Sequence, residues 1–296
     1  MAFEMAGRVA FITGAGSGLG KAMAEALAGE GMKIFAVDVD GPALAALKEA
    51  FQARNVPIET AELDVTDRDA FEAAAEACVA AFGGVHVLCN NAGVYRGGPL
   101  DAMTYADWDW ILGVNVGGVV NGLQAVLPRI KATGEGGHIV NTASMAGLTA
   151  GAGMGVYNAS KFAVVGLSEA LRADLAETDI GVSVLCPAMV DTDIVRSERI
   201  RPEALADPGS DAAAEDQIGR MRRAMAASIP PARVGELVAE GIREGRFWLL
   251  SHPEMRLPVE ARQAELLEAF GTPGEEDLAR LETLMGAMTP EAQSPS

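Results

Sequence analysis

The stretch Arg8-Val9-Ala10-Phe11-Ile12-Thr13-Gly14-Ala15-Gly16-Ser17-Gly18-Leu19-Gly20 decides the fold. Arg8–Thr13 is a short apolar run of the length of a buried strand, and the glycines after it run directly into an Ala-rich helical pattern. Without Cβ atoms, such a turn lets the backbone approach a pyrophosphate, whose charge then rests on the unpaired N–H groups of the helix start. The strand-turn-helix context gives this reading its weight, since a tight ligand-free connection is also rich in glycine. Gly14, Gly18 and Gly20 are spaced G-x-x-x-G-x-G, which differs from G-x-G-x-x-G because Leu19 stands at the last glycine position.

The same rhythm continues outward. Lys33–Asp38, Pro57–Leu63, Val85–Cys89, His138–Asn141 and Gly181–Cys186 read as further buried strands, separated by longer helical patterns that open at signals such as Gly41-Pro42 and Thr66-Asp67. Alternation of this kind predicts a parallel sheet covered by helices, with ligands at the strands' carboxyl ends. The predicted fold class is therefore α/β, a single doubly wound Rossmann-like domain over residues 1–250, plus a helical C-terminal extension, 251–296, packing on the same domain. Residues 191–231 lack a clear strand and read as a loop with short helices, a substrate lid. Helices over Arg233–Glu244, Glu254–Phe270 and Glu275–Met288, a strand over Phe247–Leu250 and a frayed Thr289–Ser296 complete the chain.

Composition narrows the function. The 296 residues hold 41 acidic and 23 basic side chains, a formal charge of -18 that repels phosphate backbones and anionic headgroups, so no nucleic-acid or membrane partner is expected. Cys78, Cys89 and Cys186 are too scattered for a disulfide framework or zinc spacing, so no metal is expected and a reduced, cytoplasmic setting fits. Met1–Arg8 lacks a targeting pattern, and no apolar run is expected to reach the roughly 18 to 20 residues of a membrane span.

Asp38 ends the second strand 18 residues beyond Gly20, near the spacing of an acid that grips the adenosine ribose hydroxyls and selects NAD over NADP. The alternative is a plain helix cap. Tyr157 and Lys161 lie four apart, on one face of a helix, where a cation can act on a phenol. A tyrosine must fall by roughly three pH units, about 4 kcal/mol, to act as a base near neutrality. Ser144 sits in no G-x-S-x-G elbow, and His86, His138 and His252 fit no triad, which argues against a hydrolase.

Together the glycine turn, Asp64-Val65, Asn90-Asn91-Ala92-Gly93, Asn115, Ser144 and Tyr157-x-x-x-Lys161 resemble, in order, the motifs of the short-chain dehydrogenase/reductase family. The resemblance covers residues 7–192 strongly and Arg233–Leu250 weakly. It implies an NAD-dependent enzyme in which Tyr157 moves the proton, Lys161 lowers its pKa, and Ser144 steadies the substrate oxygen. It also implies that Asn115 bends a long helix, Tyr105–Lys131, and holds a water linking Lys161 to solvent. Asp64 and Val65 are implied at the adenine, and Asn90 and Gly93 at the wall beside the cofactor. Gly14, Ser17, Gly18, Leu19 and Gly20 form the phosphate turn, and Ser17 stands where relatives that prefer NADP often carry a basic residue. Pro187-Ala188-Met189-Val190-Asp191-Thr192 resembles the family's P-G-x-V-x-T segment, with Val190 and Thr192 implied at the nicotinamide amide and Ala188 in a glycine's place, where a positive φ would strain it.

The substrate wall is expected from Val94, Tyr95, Met145, Ala146, Met154, Met189 and Ile194–Ile200, apolar groups that suit a hydrophobic or aromatic secondary alcohol. Asp107–Asn115 and Ser251-His252-Pro253-Glu254 look similar to the bacterial aryl-ether Cα-dehydrogenases of lignin catabolism. A non-catalytic NAD(H)-binding sensor or scaffold is the competing class, against which the presence of both Tyr157 and Lys161 argues. The family's habit of burying long helices between subunits implies a homodimer or homotetramer.

Overall fold

The computed structural model describes residues 3–206, 219, 221–223 and 225–288. Within them the chain forms two compact units, Met1–Pro253 and Glu254–Ser296. The expected frayed end at Thr289–Ser296 and lid residues 207–218, 220 and 224 lie outside the described residues.

The first unit is built on seven strands: β1 (Val9–Thr13), β2 (Lys33–Asp38), β3 (Ile58–Glu62), β4 (Val87–Asn90), β5 (Gly137–Thr142), β6 (Ile180–Cys186) and β7 (Trp248–Leu250). All pair in parallel, in the order β3-β2-β1-β4-β5-β6-β7. The predicted doubly wound α/β fold is therefore the observed one. Strand ends move by one or two residues, and the two edge strands are only partly buried, because an edge has one neighbour to cover it. The chain reverses its winding between β1 and β4, which opens a crevice at their carboxyl ends.

Helices α1 (Gly18–Gly29), α2 (Gly41–Gln52), α3 (Arg68–Phe82), α4 (Tyr105–Leu112), α5 (Gly118–Thr133), α6 (Gly155–Asp174) and α7 (Pro231–Glu244) are the layers on the sheet. Residues alternate across β1, so Ile12 joins Met23, Leu27, Val234 and Leu249 in one core layer while Phe11 faces Phe35 and Phe71, at 5.3 and 5.7 Å. Asp40 and Asp67 cap α2 and α3 through Ala43 and Ala70, so neither Asp38 nor Asp64 is a helix cap.

α4 and α5 are one helical run, Tyr105–Thr133, joined by a π-helical stretch over Gly113–Gly117. By length and composition this run reaches the size of a membrane span, which corrects the expectation that no segment does. Its apolar residues are spent inside the fold, where Trp110, Ile111, Val119, Val126 and Ile130 are buried.

The second unit contains α8 (Arg256–Phe270) and α9 (Glu275–Met288), both at the expected positions. Leu267, Phe270, Leu281 and Leu284 on them are exposed.

Candidate active site

The carboxyl ends of β1, β2, β4, β5 and β6 open onto one cleft of about 380 Å³, within the range of small-molecule sites. The glycine turn closes its floor. Gly14 has φ +65°, and a Cβ there would come within 2.9 Å of Ala92 Cα; at Gly20 a Cβ would strike the Gly14 carbonyl. Ser17 precedes α1 with an extended backbone and no side-chain cap bond, leaving the helix N-terminus open beside Gly14, Ser17, Gly18 and Leu19, which all line the cleft. Gly20 itself is packed behind the turn.

Asp38 stands at the cleft edge, its Oδ2 accepting from the Gly16 N–H (2.8 Å) and its Oδ1 from the Asp40 N–H (3.1 Å). The turn and the acid are therefore one rigid unit. Asp64 lines the cleft with Oδ1 tied to the Thr66 N–H and hydroxyl (2.9 and 2.8 Å). Val65 lies beside it, its carbonyl accepting from Asn121 Nδ2 at 2.8 Å.

Asn90 is not on the cofactor-proximal wall. It is 2 % exposed and turned under the sheet end, where its Nδ2 donates to Asn141 Oδ1 at 2.9 Å. The next residue takes the expected place: Asn91 lines the cleft and its Nδ2 donates to the Thr13 carbonyl at 3.0 Å. Thr13 Oγ1 accepts from the N–H groups of Asn91 and Ala92, both 2.9 Å, and so ties the glycine turn to the β4 loop. Gly93 lies in the cleft, where a Cβ would stand 3.5 Å from Lys161 Nζ. Neither Thr13 nor Asn91 received a role from the sequence, although both sit inside motifs that were singled out.

Asn115 falls in the π-helical stretch, the kind of local widening that accompanies functional sites. Its side chain is 1 % exposed and fully used: Oδ1 accepts from the Val94 N–H (2.8 Å), and Nδ2 donates to the Val94 carbonyl and Ser160 Oγ (both 3.0 Å). With both amide protons engaged, the side chain positions the β4 loop against α6.

α6 carries Tyr157 and Lys161, 9 % and 3 % exposed. Tyr157 shares a hydrogen bond with the Ser144 side chain, and burial pushes its hydroxyl up to about 12. Lys161 is pushed down to about 8 by burial, and its Nζ donates to the Thr142 carbonyl at 2.9 Å, 5.5 Å from the Tyr157 ring centroid. The expected fall in the Tyr157 pKa is thus reversed among the protein's own groups, since desolvation outweighs the hydrogen bond shared with Ser144. Ser144 Oγ accepts from the Ala146 N–H (3.1 Å) and donates to the Pro187 carbonyl (3.3 Å), which joins the ends of β5 and β6.

Pro187, Val190 and Thr192 line the cleft, and Thr192 Cγ2 packs over Gly18. The strain expected at Ala188 is absent, because Asn55 is the only non-glycine residue with positive φ among the described residues. The Ala188 N–H instead donates to His252 Nδ1 at 3.3 Å.

On the substrate side the expected wall is partly wrong. Val94 and residues of Ile194–Ile200 line the cleft, and Tyr95 packs edge-on against Tyr157 at 5.1 Å. Met145, Ala146, Met154 and Met189 do not; Met145 and Ala146 are buried behind Ser144 and Met189 points outward, 43 % exposed. Trp110, Val114, Leu205 and Met225 take their place, with Asp109 and Arg199 as polar exceptions. Among the described residues no cluster of His, Cys, Asp or Glu forms a metal site.

The family model described as short chain dehydrogenase matches residues 8–203. The chain belongs to that family. As a short-chain dehydrogenase it is an oxidoreductase with a site for a nicotinamide cofactor. It is 33 % identical over 283 residues to the C alpha-dehydrogenase of Sphingobium sp. strain SYK-6, covering 94 % of this chain and 92 % of that one. A short-chain dehydrogenase/reductase from Burkholderia phymatum, solved in complex with NAD, matches with a TM-score of 0.87 and 42 % identity over 92 % of this chain and 98 % of that chain. The apo form of LigO from Sphingobium sp. strain SYK-6 matches at 0.78 and 34 % identity, covering 98 % and 99 %.

Proposed function

We propose that this short-chain dehydrogenase transfers hydride between NAD and a hydrophobic or aromatic secondary alcohol, giving the ketone. The observation that carries the reading is Tyr157, hydrogen-bonded to Ser144 and with Lys161 against its ring, in one cleft with the open α1 N-terminus. Those residues fit a dinucleotide: Gly14, Ser17, Gly18 and Leu19 leave backbone exposed that would hold its phosphates, Asp38 and Asp64 would hold its adenosine part, and Val190 and Thr192 would hold its nicotinamide end. A nicotinamide held there would supply the acceptor or donor for the hydride of the carbinol carbon.

The protein's own groups move the proton. Tyr157 accepts it from the alcohol hydroxyl during oxidation and donates it to the ketone oxygen during reduction. Ser144, already bonded to Tyr157, holds that oxygen in place. Lys161 lies below the ring face, where its charge favours the phenolate. Asp38 favours NAD, because a 2′-phosphate about 4 Å from its carboxylate costs on the order of 4 kcal/mol at an effective dielectric near 20. The apolar wall around Trp110, Ile200 and Leu205 favours an apolar substrate, as does the likeness to the Sphingobium C alpha-dehydrogenase.

The test is turnover by purified protein with NAD⁺ and a panel of aryl, alkyl and sugar secondary alcohols, read by the absorbance of reduced nicotinamide. Aryl alcohols are expected to give the highest kcat/KM, and Tyr157→Phe to abolish turnover while leaving NADH binding intact. Equal turnover by Tyr157→Phe overturns the mechanism; NADH binding with no turnover across the panel leaves a cofactor-binding sensor instead.

A further inference from the structure

A buried ion cluster stands behind the substrate side of the cleft, outside the catalytic groups. Asp107 is the third residue of α4 and is 0 % exposed. Its Oδ2 accepts from the Thr104 N–H (2.8 Å) and hydroxyl (2.9 Å), completing a capping box, and its Oδ1 faces two guanidinium groups, Arg201 Nη1 at 2.7 Å and Arg96 Nε at 3.2 Å. Burial raises the Asp107 pKa, but the Thr104 and arginine contacts outweigh it, so the carboxyl is held below its ordinary value and stays charged.

Arg201 belongs to the chain that crosses the cleft mouth. Its side chain is 3 % exposed, its Nε donates to the Leu205 carbonyl at 2.6 Å, and its guanidinium lies 5.0 Å from the centroid of Trp110. The residues on either side of it, Ile200 and Pro202, line the cleft, as do Leu205 and Trp110. One side chain thus ties together a helix N-terminus, the turn at Glu203–Leu205 and an aromatic wall, while pointing its own charge away from the substrate. An arginine is suited to this because its planar fork reaches several acceptors and its face packs on an indole.

We infer that the Asp107–Arg201 pair is a positioning device for the substrate site: it clasps the 200–205 segment to α4 and so sets the apolar wall that the alcohol contacts. The inference rests on the proposed dehydrogenase reading. A buried pair of this kind adds little net stability and more structural uniqueness, which is what a wall of defined shape needs. The turn that takes the phosphates and Asp38 lie at the other end of the cleft, so the clasp acts on the alcohol and leaves the cofactor alone.

The experiment compares Arg201→Met, Arg201→Lys and the double variant Asp107→Asn/Arg201→Met with the parent. In the double variant both charges are removed together, which avoids leaving a lone buried ion if a single variant fails to fold. Expected for Arg201→Met and the double variant is a rise of about tenfold or more in KM for the best alcohol, with kcat and the NADH Kd within about threefold of the parent. Arg201→Lys, which keeps charge but loses the fork, falls between. Backbone hydrogen exchange over 200–205 is expected to quicken in the same order, and this readout stands even if the parent turns over no alcohol, which separates failure of the clasp from failure of the proposed reaction. Unchanged KM and unchanged exchange in a folded variant, or a KM rise matched by an equal loss of NADH affinity, overturns the inference.

Discussion

Lys161 spends its hydrogen bond on the Thr142 carbonyl, 2.9 Å away, and meets Tyr157 only across the ring face at 5.5 Å. The lysine is thereby anchored to the end of β5, at a strand end that also carries Ser144. Its influence on the phenol is electrostatic and through space, so it depends on Lys161 remaining protonated.

That dependence fixes a pH profile. Tyr157 stands at about 12 and Lys161 at about 8, both displaced by burial. Oxidation needs Tyr157 to accept a proton, so its kcat/KM should climb as pH rises through neutrality, then bend where Lys161 loses its charge near 8. Reduction uses protonated Tyr157 and should run the other way. Initial rates in both directions from about pH 6 to 10 test this, and Lys161→Met should lose most activity and the bend. A flat oxidation profile removes Tyr157 from the proton path.

Asn115 makes a second prediction. Removing its side chain leaves the Val94 N–H and carbonyl without their partner inside the fold and cuts the tie to Ser160, next to Lys161. Asn115→Ala should cost about 3 kcal/mol, a fall in Tm of roughly 6 to 12 °C. Turnover should fall further than NADH affinity, because the loosened joint is the one beside α6. A Tm within about 2 °C of the parent contradicts the positioning role.

What was legible in the sequence was local. The G-x-x-x-G-x-G turn, the acid at the end of β2 and the i, i+4 pair on α6 are read from short spacings that the chain cannot change without changing the element. Errors came where an orientation depends on distant partners. Asn90 and Asn91 are adjacent, and which of them enters the cleft depends on where β4 stops pairing with β5, a matter of register that neither residue declares. Met145 and Met154 carry the apolar character expected of a wall, yet the wall was made by Trp110 and Leu205, brought there by the long-range pair of Asp107 with Arg201. Ala188 suggested strain only because the family's glycine was assumed to need its freedom.

Cofactor choice follows from Asp38. Its two oxygens accept separately from the Gly16 and Asp40 N–H groups, so Asp38→Asn removes the charge and keeps one of the two bonds, while Asp38→Ala removes both. Asp38→Asn should narrow the NAD over NADP preference in kcat/KM by about one to two orders of magnitude. Asp38→Ala should narrow it as well and also weaken NAD binding, through the loosened turn. Steady-state kinetics with both cofactors decide this; comparable efficiency with NADP in the parent refutes the assignment.

His138 predicts how the fold responds to acid. It is the second residue of β5, 2 % exposed; Ser183 Oγ donates to the Arg246 carbonyl and so accepts from His138 Nε2 at 2.7 Å, which places a ring proton on Nε2. Burial holds its pKa down to about 4, against 6.5 in an open chain. Because the folded value is the lower one, the unfolded chain binds more protons between those limits, so the stabilising contribution is complete above about pH 6.5 and is lost as pH falls toward 4. The difference amounts to about 3 kcal/mol. His138→Gln keeps a donor toward Ser183 without a titrating ring, so it should be less stable than the parent at pH ~7.5 through poorer packing, yet lose less stability between about pH 6.5 and 4.5. Urea midpoints at the two ends of that range measure it. If parent and variant lose stability in parallel, His138 is not a source of the acid sensitivity.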